Sequence, residues 1–114
     1  MKIVAEKIAV AELKEMSEKM FGSLVKAVVD VKKEIMAVDA DLHADQEKLL
    51  LENGSKQENL WGINLYPEFF GNDGFVEFDS MINLRPSQGN RSRGVEDENL
   101  QKRILEIVDK LVEK

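Results

Sequence analysis

A chain of 114 residues, 43% hydrophobic and 33% charged, has the length of one globular domain and can bury roughly two-thirds of the surface its unfolded form exposes, so neither metal nor disulfide is needed to hold it. It contains no cysteine, which removes disulfides, thiolate nucleophiles and cysteine-ligated metals and suits a reducing compartment. A formal net charge of −6 argues against a broad nucleic-acid surface, which needs a basic face to release counterions, and no apolar run approaches the roughly 20 residues that cross a bilayer.

The opening MKIVAEKIAV is broken by Glu6 and Lys7 and lacks the apolar stretch of a secretory signal, so the expected location is cytoplasmic. Residues 2–8 (KIVAEKI) read as a short strand. Val10 to Phe21 set Leu13, Met16 and Met20 on one stripe, an amphipathic helix with Gly22 at its left-handed cap. From Leu24 to Leu42 two patterns compete. Leu24, Val28, Val31, Ile35, Val38 and Leu42 recur at spacings of four and three, as in a helical seam. The crowding of Val25, Val28, Val29 and Val31 favours instead two strands over about 24–31 and 34–40, turning at Lys32-Lys33.

Asp41 is placed to cap a helix from about Leu42 to Glu52 that Asn53-Gly54 ends. Leu60 to Tyr66, stopped by Pro67, and Phe75 to Leu84, after a turn at Gly71 to Gly74, read as an antiparallel hairpin. Leu100, Ile104, Ile107, Val108 and Leu111 stripe a closing helix that Asp97 or Glu98 begins. The expectation is a single α+β domain over residues 1–114: an antiparallel sheet of four or five strands with three helices packed on one face.

The words LHADQE (42–47), GSKQENLWGINLYP (54–67) and INLRPSQGNRSRGVED (82–97) together resemble a family of small bacterial and archaeal proteins known only as a domain of unknown function. The resemblance covers the chain from about Val25 onward and implies a compact α+β domain. It brings no activity, cofactor or catalytic assignment. Asp39-Ala40 departs from the family pattern, standing where a glycine-rich turn is expected.

Candidate site residues fall in two groups. Between Ser80 and Val95 the acidic chain holds three arginines and no carboxylate, a local inversion of charge that points to an anion. Arg85, Asn90, Arg91 and Arg93 are the expected ligand contacts, since guanidinium groups fork onto phosphate or carboxylate. Asn64 and Asn83, disfavoured inside strands, either line a polar pocket with Arg85 or bond across the hairpin. The internal alternative is that Arg85 pairs with a carboxylate such as Asp79 while Asn90 and Ser92 tie the loop to itself. The loop lacks GxxxxGK[ST] and is not a P-loop.

The second group is His43, the only histidine, with Glu47 one helical turn on, a pairing from which an acid-base couple could be built. The bland reading is an exposed pair of small effect. No HExxH, DxDxDG or second histidine accompanies it, so no metal or other cofactor is expected. Trp61, Tyr66, Phe69 and Phe70 serve the core or a homodimer contact more readily than they stack bases. The leading expectation is a non-catalytic module that binds an anionic small molecule or an acidic protein segment. The alternatives are a small hydrolase or nuclease using His43 and Glu47, and a structural dimerising subunit.

Overall fold

The computed structural model describes residues 1–114. In chain order its elements are β1 (Lys2–Val4), β2 (Ile8–Ala9), α1 (Val10–Lys19), β3 (Val25–Asp30), β4 (Ile35–Val38), α2 (His43–Glu52), β5 (Leu60–Leu65), β6 (Val76–Glu77), α3 (Glu98–Leu111) and β7 (Val112–Glu113), with short 3-10 turns between several of them. The main sheet has five strands in the order β1-β4-β3-β5-β6, and every pairing in it is antiparallel. The expected KIVAEKI strand is split: β1 pairs with β4, whereas β2, beyond Glu6-Lys7, pairs in parallel with β7. No helix is long and apolar enough to cross a membrane.

The valine-rich stretch resolves as strands. Both faces of β3 are buried, and that is why its apolar residues also fit a helical seam. Val25, Ala27 and Val29 of β3 lie with Trp61, Ile63 and Leu65 of β5 in the cluster that holds Leu13 and Met16 of α1 and Ile104, Ile107, Val108 and Leu111 of α3. Val28, Ala37 and Leu60 form a second cluster with Leu50 of α2. Successive strand residues point to opposite faces, so α1 and α3 cover one side of the sheet and α2 the other. The arrangement differs from three helices on one face because β3 and β5 are apolar on both sides and need cover on both.

Asp30 locks the β3–β4 turn: its Oδ1 accepts from the amides of Lys32 and Lys33 at 2.9 Å each, and its Oδ2 accepts from the Ser55 hydroxyl at 2.6 Å. Glu34 and Asp39 take positive φ values of 57° and 66°; at Asp39 this is a conformation glycine adopts freely, which accounts for the glycine-rich turn expected there. The helix α2 starts later than Asp41 would place it. Leu42, whose side chain has no atom that could accept a bond, occupies the cap position, and His43 follows it with a 2.8 Å contact between its Nε2 and the Ile63 carbonyl of β5. At α3 the expected start holds, with Asp97 Oδ1 accepting from the amides of Asn99 and Leu100.

The second hairpin strand is much shorter than the Phe75–Leu84 run. After Glu77 the chain leaves the ladder; the Ser80 hydroxyl accepts from the Ile82 amide and begins a 3-10 turn over Met81–Asn83. Ser80 lies directly over Gly62 of β5, so close that a Cβ on Gly62 would fall 2.5 Å from the Ser80 Cβ and 2.6 Å from its Oγ. Only glycine admits this approach. Ser80 is 1% exposed and has no room to retreat, so Gly62→Ala is expected to cost about 1–3 kcal/mol in urea unfolding. A variant as stable as the wild type would show that the contact imposes no constraint.

Candidate functional site

Between β6 and the start of α3 the chain folds back on the outer edge of β5, and most of the predicted site residues are used there. The Asn83 side-chain amide mimics a neighbouring strand: its Oδ1 accepts from the Gly62 amide at 2.8 Å, and its Nδ2 donates to the Gly62 carbonyl at 2.9 Å. Nδ2 also donates to the Arg93 carbonyl. One step along β5, Arg85 donates from Nη2 to the Leu60 carbonyl. Its Nε donates to the Ile82 carbonyl at 2.9 Å, and Nη1 donates to the Gln57 carbonyl at 2.8 Å and to Gln88 Oε1.

The Arg85 guanidinium is 4.6 Å from the Trp61 ring centre and 3.7 Å from the Glu47 carboxylate. Burial lowers its pKa from the usual value, and the Glu47 charge opposes that. Removing Glu47 would leave the buried Arg85 charge without its counter-charge. Asn90 closes the loop: its Nδ2 donates to the carbonyls of Asn83, Ser92 and Gly94, and its Oδ1 accepts from the Glu96 amide. Backbone bonds in both directions between Arg85 and Asn90 span a tight turn in which Gly89 has φ 80°. Arg85 and Asn90 therefore have their donors engaged inside the protein.

A second group gathers around Asp79. Arg93 Nε donates to its carboxylate at 2.7 Å, and Asn64 Nδ2 donates to its carbonyl at 3.2 Å. Asn64 Nδ2 also donates to Glu77 Oε1, which the Tyr66 hydroxyl approaches at 3.0 Å, while Asn64 Oδ1 is buried without a partner. His43, 8% exposed, lies close enough for Lys26, Asp79 and Arg93 to act on its charge. Its bond to the Ile63 carbonyl makes Nε2 the protonated nitrogen in the neutral ring, which leaves Nδ1 as the free acceptor.

The structure thus brings Asn83, Arg85, Asn90 and Glu47 into one internal network and Asn64 and Arg93 into another around Asp79, while His43 bonds only to the Ile63 carbonyl. It does not bring His43 and Glu47 together as a couple, because Glu47 turns toward Arg85. Arg91 stands apart, exposed, with its backbone amide on Glu96 and its guanidinium in no ion pair. No cluster of three or more His, Asp or Glu side chains is placed to hold a metal ion. Trp61 lies in the core as expected, whereas the Gly62–Ser80 contact was not among the expected features. A glycine inside an apolar strand was the available signal for a close backbone approach.

A family model described as a protein of unknown function (DUF5674) matches residues 2–111, and the chain belongs to that family. It matches no curated protein and no solved structure.

Burial lowers the His43 pKa below the usual 6.5, with the Ile63 carbonyl opposing the shift. Unfolding frees the imidazole to take up a proton, so this group's contribution to stability is present above about pH 6.5 and is lost as the pH falls toward the folded value. Denaturation midpoints measured between about pH 7.5 and 5 should fall with pH, and His43→Gln should flatten that slope. An unchanged slope in the variant would remove His43 as its source.

Proposed function

We propose that this DUF5674 family member is a non-catalytic binding module for an anionic ligand, a phosphate or carboxylate group carried by a small molecule or an acidic protein segment, with Arg91 and Arg93 as the contacts. The observation that carries the reading is the division of labour among the loop's cationic and amide side chains. Arg85, Asn83 and Asn90 are consumed in building the loop, and the product of that construction is a firmly held turn on which Arg91 is exposed, its backbone amide on Glu96 and its guanidinium in no ion pair. Arg93 is exposed beside it in sequence and shares a single carboxylate, Asp79. Exposed ion pairs of this kind contribute little, about 0–1 kcal/mol, so a ligand carboxylate or phosphate could recruit the Arg93 guanidinium at small cost.

A rigid support favours such recognition because less freedom is lost on binding. The catalytic alternative has weaker geometric support, since Glu47 is engaged with Arg85 and no second acid bonds to His43. We place the module in the cytoplasm, where a cysteine-free chain is at home.

Ligand that binds only the folded state raises its apparent stability. In thermal-shift titrations at matched ionic strength, phosphate, citrate or a nucleotide should raise the wild-type midpoint, and Arg91→Ala with Arg93→Ala should abolish the rise while leaving the unliganded midpoint within a few degrees. If none of these anions moves the wild-type midpoint beyond a sodium chloride control, the proposal fails.

A further inference from the structure

On the sheet face away from His43, a cleft of about 620 Å³ opens between α3 and the segment from Phe70 to Phe78. Its size is within the range of small-molecule sites. The buried Phe75 and Val108 line it together with the half-buried Phe70 and Phe78 and the exposed Leu105. Phe70 and Phe75 meet edge to face, with centres 5.2 Å apart and planes at 83°. Apolar side chains are thus left in contact with water at the mouth, where an apolar guest would displace it.

The rim is of one sign. Asp73, Glu106 and Asp109 border the cleft, and no lysine, arginine or histidine lines it. The ion pairs of the chain involve other carboxylates: Asp39, Glu12, Glu47, Asp79 and Glu34. The rim acids are exposed and take part in no ion pair of the chain. The chain as a whole is at −6, so the longer-range field has the same sign.

An aromatic ring presents a negative face to a cation. A cleft lined by phenylalanines and by carboxylates in no ion pair therefore selects a guest that is apolar in body and positive at one end. From this complementarity we infer that the cleft is a binding site for a small organic cation, an amine or quaternary ammonium carrying an aromatic or aliphatic group. The apolar body occupies the space between Phe70, Phe75, Phe78 and Leu105, and the ammonium lies toward Glu106 and Asp109. The site is separate from the arginine loop and opposite to it in the charge of its ligand, so either can fail without the other.

The test is a titration of isotope-labelled protein followed through its backbone amide signals, using three probes of similar shape: phenethylamine, 2-phenylethanol and phenylacetate. Phenethylamine should give saturable shifts confined to residues 70–78 and 105–109 and should bind about tenfold more tightly than the neutral alcohol, with phenylacetate weakest. In Glu106→Gln with Asp109→Asn, both exposed helix positions where folding is not at stake, the preference for the amine should vanish while the alcohol still binds. Phe70→Leu, which keeps an apolar side chain, should weaken the amine severalfold. The inference is overturned if the alcohol binds as well as the amine to the wild type, or if no probe gives saturable shifts up to about 10 mM. It is also overturned if sedimentation shows a second copy covering the cleft in a dimer that Leu105→Lys dissociates.

Discussion

The outer edge of β5 presents more backbone hydrogen-bonding groups than the sheet can satisfy. β3 pairs along the whole of β5, from Val25 opposite Leu65 to Asp30 opposite Leu60, but β6 reaches only Asn64 and Leu65. Gly62 and Leu60 lie beyond it, fully buried or nearly so, where an unpaired polar group costs about 1–3 kcal/mol. Extending β6 would solve the problem with backbone. This chain solves it with side chains: the Asn83 amide stands in for a strand at Gly62, and the Arg85 guanidinium reaches the Leu60 carbonyl.

Much of the remaining architecture follows from that choice. Gly62 must lack a Cβ so that Ser80 can lie over it. Bringing Arg85 inside requires Glu47, and hence the placement of α2 on this face of the sheet, to balance its charge. The turn that returns the chain from Arg85 to Asn90 is closed by the Asn90 amide, which reaches as far as Gly94 and Glu96 and so sets the approach to α3. A polar interior of this kind is costly when half satisfied and confers specificity when complete. Its exceptions, the buried oxygens of Gln46 and Asn64 that accept no hydrogen bond, lie on α2 and on the β5 face toward it.

The fold was legible in the sequence wherever local pattern and burial agree. Crowded valines marked β3, the α3 stripe and Asp97 marked the last helix, and Lys32-Lys33 fell in the β3–β4 turn. The side of the sheet each helix covers was not legible, because a strand buried on both faces carries no alternation to assign it. At the site, the charge inversion drew attention to the correct segment, and the internal alternative for Asn90 describes the bonds it makes. The partners of Asn83 and Arg85 were hidden for a different reason: Gly62 and Leu60 are 21 and 25 residues away, and a contact at that separation leaves no periodic trace. For Arg85 too the internal alternative describes what is seen, a pairing with a carboxylate, though that carboxylate is Glu47 and not Asp79, which Arg93 takes.

The claim that side chains complete the sheet edge is tested most directly by hydrogen exchange at the Gly62 amide, whose partner is Asn83 Oδ1. In the wild type its protection should match that of ladder amides such as Ile63, because opening it requires the loop or the sheet to unfold. In Asn83→Ala, Gly62 should lose protection well beyond any general loss of stability, with Ile63 still held by β3. A Gly62 amide that exchanges in the wild type as fast as an exposed loop, or that is equally protected in Asn83→Ala, would contradict the account.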